Sequence, residues 1–260
     1  MLASLALLFA RATLADEQNA DELAKQLSNP VAALITVPFQ FNPDFDIGSD
    51  DGTRTTLNIQ PVLPASISED WNLITRVIIP VIYQNDVNGD SGTQSGLGDT
   101  TPTFFFSPKA PTSFGLIWGV GPVFLLPTAT DDALGSEKWG AGPSFVVLEQ
   151  TESHWTYGIL ANHIWSFAGK DAREDVNSTY LQPFLTKGIG KGRTLFINSE
   201  SSYNWRTGHW NVPFNAGVTQ IVKIGNQLVN LRAGPRYYAE TPGKGPDWGL
   251  RLEIALLFPK

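Results

Sequence analysis

The stretch that most constrains this chain is residues 116–148, LIWGVGPVFLLPTATDDALGSEKWGAGPSFVVL. An apolar arm (116–126) and a second arm (138–148) flank a polar tip (128–137) that holds Asp131, Asp132 and Gly135. Each arm carries a Gly-x-Gly-Pro step, Gly119 to Pro122 and Gly140 to Pro143, and a tryptophan, Trp118 or Trp139. The pattern reads as one long β-hairpin. Each arm has the length of a tilted strand that crosses a bilayer, ~9–11 residues.

The rest of the chain repeats the plan. Period-2 alternation marks further strands at 31–42, 53–64, 71–84, 100–107, 155–167, 177–186, 195–205, 210–223, 228–240 and 248–258. In the last, Trp248, Leu250, Leu252, Ile254, Leu256 and Phe258 share one face, opposite Arg251 and Glu253. With the two hairpin arms this predicts about twelve strands, an even count as bacterial single-chain barrels have. Connections alternate too. Residues 43–52, 85–98, 128–137, 168–176 and 241–247 are long and mostly acidic, whereas 65–70, 108–113, 151–154, 188–192 and 225–227 are short. Long outer loops and short periplasmic turns are the known asymmetry of transmembrane barrels. Trp139, Trp165, Trp205, Trp210 and Trp248 fall beside the long loops, Trp71 and Trp155 beside the short turns, as two interfacial girdles require. Trp118 reads as mid-strand. The expected fold is therefore all-β: an antiparallel up-and-down transmembrane barrel.

Prolines oppose this reading. Pro38, Pro61, Pro80, Pro102, Pro122, Pro143, Pro183, Pro213 and Pro235 all lie inside expected strands. Each removes a ladder donor, so several are expected at bulges, with the Gly-Pro steps as natural candidates.

Charged residues make up only 17% of the 260, against roughly 25% in ordinary soluble domains. The net charge is −7 and no basic run occurs, which argues against nucleic acid as a partner. The chain has no cysteine, so disulfide frameworks and thiolate sites are excluded. Residues 1–15 read as a secretory signal with cleavage after Ala15, although Arg11 follows the apolar run rather than preceding it. Residues 16–30 read as a periplasmic segment with a short helix at 21–28, and 31–260 as the barrel. Leu23 and Leu27 sit at i, i+4 on that helix. It is expected to cap the barrel floor; entering the lumen as a plug is the alternative.

Polar residues on inward phases are Asn58, Gln60, Arg76, Gln182, Asn198, Glu200, Asn230, Arg232, Arg236, Arg251 and Glu253. A charge facing lipid costs ~2–4 kcal/mol at the midplane, so these are expected to line the lumen, either as filling ion pairs or as a lining that selects a solute. The histidines are His154, His163 and His209, and no Gly-x-Ser-x-Gly elbow is present. Asn162 beside His163 points to the opposite face, so a Ser-His hydrolase is not expected. Loop acids (Asp44, Asp46, Asp50, Asp51, Asp86, Asp90, Asp131, Asp132, Asp171, Glu174 and Asp175) read as solvated. Residues 86–90 begin like a calcium loop but fail at Ser91 and Leu97, so no metal and no cofactor are expected.

Several runs carry a family likeness: Asn29-Pro-Val-Ala-Ala-Leu-Ile35, Leu57-Asn-Ile-Gln-Pro61, 118–128, 137–143, Asn162-His-Ile-Trp-Ser-Phe-Ala168, Asp175-Val-Asn177, Gln182-Pro-Phe184, Ala233-Gly-Pro-Arg-Tyr-Tyr238 and Gly245-Pro-Asp-Trp-Gly-Leu-Arg251. Over residues 21–260 the chain resembles the bacterial outer-membrane family named for the MetA pathway of phenol degradation, whose members are often labelled "neuromedin U" or "transporter". The resemblance implies an outer-membrane barrel that passes small compounds, aromatic ones among them. It carries over no functional residues. The expected function is a passive channel or transporter with a polar lumen, gated by acidic outer loops. The alternatives are a plugged structural or adhesive barrel and, less in keeping with the residues, a phospholipase-like enzyme. Expected partners are outer-membrane lipid, lipopolysaccharide and a small solute; the oligomeric state is open.

Overall fold

The structure is a computed structural model that describes residues 12–14, 17–87 and 91–259. Most of the expected leader, and Asp90 of the calcium-like loop, lie outside these residues. In chain order the elements are β1 (Ala12–Leu14), α1 (Glu17–Leu27), β2 (Ile35–Ile47), β3 (Gly52–Ile59), β4 (Val62–Ser66), β5 (Trp71–Asn85), β6 (Thr93–Leu97), β7 (Thr101–Pro108), β8 (Leu116–Leu125), β9 (Lys138–Gln150), β10 (Trp155–Gly169), β11 (Asn177–Gly190), β12 (Arg193–Ser199), β13 (Ser201–Asn204), β14 (His209–Ile224), β15 (Gln227–Glu240) and β16 (Trp248–Phe258).

Every pairing is antiparallel, and β14 closes the ring by pairing with β15. Three staves are each built from two strands: β3 with β4, β6 with β7, and β12 with β13. The result is a closed barrel of twelve staves with a short N-terminal helix. Closure satisfies every strand edge, which a bilayer demands. The short β1 lies against Val222–Ile224, below the end of the β12–β14 ladder.

The exterior is the apolar belt the alternation predicts. Phe41, Phe145, Leu195, Ile197, Phe214, Val218, Leu252 and Ile254 are exposed outward. Aromatic rings bound the belt. Trp165 and Trp205 flank His163, and Tyr203 packs against Trp205 and Trp210 at 4.9 Å each, on the outer side. Trp118 is not mid-strand in its surroundings: its ring meets Trp71 edge-on at 5.7 Å in the periplasmic girdle.

The prolines are accommodated differently from expectation. Pro61 falls at the β3–β4 break and Pro213 at a register shift, but most of the others stay in register. Pro122 and Pro143 face each other directly in the β8–β9 ladder. That ladder runs unbroken, so the Gly-Pro steps are not bulges within their own hairpin. Their missing N–H groups fall toward the outer neighbours, and there the ladders do open. The β7–β8 ladder pairs only Thr103 with Val123 and Phe106 with Val120, and the β9–β10 ladder skips between Asn162–Ser144 and Trp165–Ala141. The glycine before each proline lets the neighbouring chain approach: a Cβ on Gly121 would lie 1.8 Å from the Phe104 carbonyl oxygen, and one on Gly142 1.7 Å from that of His163. Each proline therefore costs one ladder bond, not a reading frame.

Some outer loops are shorter than their composition suggests. The acidic stretch 43–52 is strand up to Ile47, and β6 occupies part of 85–98. The hairpin tip at 128–137 folds back over the break between β6 and β7. There Asp99 accepts from the Ser136 amide and hydroxyl, both at 2.6 Å, and Thr130 Oγ1 accepts the Leu97 amide at 3.0 Å.

Candidate functional site

The lumen is the site, and its two walls differ. Inward positions of β2, β15 and β16 carry amides and charges, whereas inward positions of β5, β7, β9 and β10 supply Ile74, Phe105, Val146, Leu148 and Leu160, a buried apolar cluster that includes Val31. The expectation of a polar lumen thus holds for one wall and fails for the other. A strand that is apolar on both phases gives no facing signal, so β9 conceals an apolar interior.

The polar wall is a connected network. The Arg251 guanidinium is fully buried (0% exposed) and forks onto Glu200, Nη1 to Oε1 and Nη2 to Oε2 at 2.6 Å each, while Nε donates to Asn42 Oδ1 at 3.0 Å. This is the two-pronged geometry that suits a guanidinium to a carboxylate. The Gln40 side-chain oxygen gathers donors from Asn42, Asn58 and Gln60 at 3.2–3.4 Å, and its nitrogen donates to Glu253 at 3.4 Å. Arg232 lies 3.7 Å from Glu253 and over the Phe196 ring. Nearer the outer mouth, Arg236 lies 3.8 Å from Asp44 and over the Tyr238 ring, and Arg54 donates to Gln84 at 2.9 Å. Arg76 donates to Gln60 at 2.9 Å. Glu200 sits at the β12–β13 break, where Pro183 and Pro213 flank it; the register continues across, from Phe184–Asn198 to Leu181–Ser201.

Two cavities lie in series. One of about 150 Å³ on the periplasmic side is lined by Gln182, Asn230, Arg232 and Glu253 among others. One of about 260 Å³ above it is lined by Asn58, Tyr180 and the apolar Ile78, Phe105, Leu160 and Ile164 among others. Gln40, Gln60, Arg76 and Glu200 border both. Of the expected lining residues, Arg236, Arg251 and Asn198 border neither: Arg251 is sealed behind Glu200, Arg236 belongs to the outer mouth, and Asn198 is buried in the wall. Sequence reasoning passed over Gln40 and Asn42, although both lie on the polar phase of their strand. It assigned Asp44 to the acidic outer loop 43–52, whereas the structure keeps it in β2.

The helix packs into the periplasmic mouth of the barrel. Ala20, Leu23 and Ala24 pack against Leu34, Ile221, Ala255 and Leu257, whose side chains point inward at the periplasmic mouth. Asp21 Oδ1 accepts the Gly192 amide at 2.7 Å, and Gln150 donates to the Lys25 carbonyl at 2.8 Å.

The outer loops are linked by ion pairs, while most of their acids stay exposed to solvent. Lys138 pairs with Asp175 at 3.0 Å, and Glu137 pairs with Lys170 and Arg173 at 3.0 and 3.2 Å. Lys138 and Ser166 hold the Asp175 carboxyl below its ordinary value of 3.8. On the lipid-facing surface, His163 Nδ1 lies 2.7 Å from the Thr179 hydroxyl, which also accepts from the Trp205 indole at 2.8 Å. This pair is not legible in sequence, because the two residues sit on different strands.

No protein-family model matches the chain, and no curated protein sequence matches it. Solved structures do. An outer-membrane channel from Pseudomonas putida F1 is similar with a TM-score of 0.69 at 14% identity, over 87% of this chain and 96% of that one. The β domain of the Bordetella autotransporter BrkA follows at 0.50 and 15%, over 87% and 100%. Outer membrane phospholipase A from Escherichia coli stands at 0.50 and 11%, over 86% and 90%. At these identities the likeness is one of fold: the chain is an outer-membrane β-barrel.

Proposed function

We propose that the protein is an outer-membrane channel or transporter that lets a small solute pass passively through its lumen. The observation that carries this reading is that the two cavities share a border of long side chains, Gln40, Gln60, Arg76 and Glu200. Side chains change rotamer on the ps–ns scale where they are free and more slowly where they are bonded, so such a border can open without unfolding a stave. The channel of Pseudomonas putida F1 has the same fold, and the resemblance to the family named for the MetA pathway of phenol degradation points the same way, toward small and aromatic compounds. Purified protein in a planar bilayer should give discrete current steps.

A plugged structural barrel is the second reading, and α1 in the periplasmic mouth favours it. That barrel gives no current even when α1 is loosened. We read the protein as having no enzymatic role. Among the described residues the His163–Thr179 contact comes nearest to an arrangement for lipid hydrolysis, but the Trp205 N–H already occupies the Thr179 oxygen and His163 Nε2 has no hydrogen-bond partner to orient the imidazole. Release of fatty acid from phospholipid by the purified protein would overturn that.

A further inference from the structure

We infer that the 260 Å³ cavity is a binding site for a small carboxylate with an apolar body, held through Arg76; this rests on the reading of the lumen as a solute path. The charge census comes first. Arg232, Arg236 and Arg251 each have a carboxylate within 4.0 Å: Glu253, Asp44 and Glu200. Arg76 has none among the described residues, and the hydrogen bond it makes is to the neutral Gln60. Glu200 acts on Arg76 through space, but its two oxygens are bonded to Arg251 and it makes no contact with Arg76. The Arg76 guanidinium therefore keeps N–H donors without a carboxylate in contact, and a planar anion that can accept two parallel N–H bonds is a natural partner for it.

Apolar neighbours of Arg76 in the same cavity set the rest of the ligand. Ile78, Phe105, Leu160 and Ile164 line the cavity, so a group extending from Arg76 meets aliphatic and aromatic carbon. The volume, about 260 Å³, lies just below the usual range of ligand pockets, ~300–1,000 Å³. One ring or a short alkyl chain fits that space. A bare inorganic anion would leave the apolar carbon of Ile78, Phe105, Leu160 and Ile164 unused. Arg54, which also lacks a carboxylate partner within 4.0 Å among the described residues, borders the outer cavity of about 640 Å³. It gives an incoming anion a first cationic stop above Arg76.

The test is equilibrium binding by calorimetry to the full-length folded protein in detergent micelles, with benzoate as probe. Benzyl alcohol, which has the ring without the charge, and acetate, which has the charge without the ring, are the comparisons. Benzoate should bind, and both comparisons should bind about tenfold more weakly or worse, as loss of a charge-assisted hydrogen bond or of ring burial implies. Arg76→Gln should weaken benzoate by about the same factor, while Arg206→Gln on the outer surface should leave it unchanged. Equal affinity for benzoate and benzyl alcohol, or no benzoate binding by the unmodified protein, would overturn the assignment without needing any variant to fold. Because binding is read in micelles, it is separable from conduction. Benzoate binding without current removes the channel and keeps the site; current without benzoate binding does the reverse.

Discussion

At the residue scale, burial and pairing separate the arginines that hold the barrel from those that meet solute. Arg251 is fully buried and satisfied by Glu200 and Asn42. Arg251→Ala should cost about 3–5 kcal/mol in urea unfolding from micelles, the usual result of stranding one partner of a buried pair. The freed Glu200 carboxylate should also move the reversal potential toward cation selectivity; unchanged selectivity would mean that ions do not pass Glu200. Arg251 and Glu253 were legible in the sequence because they interrupt a strongly apolar alternation. Ile78, Phe105, Leu160 and Ile164 were not, because an apolar residue fits lipid and lumen equally well. Asp44 was hidden by the acidic composition of 43–52, which reads as loop, and the His163–Thr179 pair by the distance between strands in sequence. Outside the membrane, Asp175 makes a pH prediction. Lys138 and Ser166 favour its charged form, so the link between the two outer loops is present above the carboxylate's ordinary value of 3.8 and is lost as pH falls through its lower folded value. Loop cleavage by pepsin, an acid-active protease, should therefore rise as pH drops below 3.8, and less steeply in high salt, which already weakens an exposed pair. A flat profile would show that the pair does not hold the loops.

At the element scale, the helix and the Gly-Pro hairpin are the two departures from an ideal barrel. Alternation located the twelve staves. It could not show how deep α1 sits, because Leu23 and Leu27 define an apolar face without saying what covers it. The structure covers the Ala20, Leu23 and Ala24 face with inward side chains at the periplasmic mouth. Short helices owe their stability to such packing rather than to propensity. Leu23→Asp should therefore loosen α1 while leaving the staves intact, and mean current should rise. Heat-modifiable migration on gels would verify that the barrel still forms. Equal current in the variant and the parent would mean that the helix does not obstruct the path. The Gly-Pro steps teach a related point. Proline in a strand argues against a barrel when each stave is taken alone, but each removed N–H affects one neighbour only. The opened β7–β8 and β9–β10 ladders are where that loss is absorbed.

At the scale of the whole molecule, one closed ring separates two chemistries. Its outside is aliphatic with aromatic rims, and its inside is divided between a charged wall and an apolar one. A fold of this kind belongs in the bacterial outer membrane, and the likeness to other outer-membrane barrels extends over nearly nine-tenths of the chain. The side-chain border between the two cavities is what separates a channel from a sealed barrel. Single-channel recording of the purified, heat-modifiable protein in a planar bilayer tests this most directly. The account predicts small, discrete current steps that grow in the Leu23→Asp variant. A silent bilayer for both proteins, with folded barrel verified in each, would contradict it and leave a structural barrel in its place.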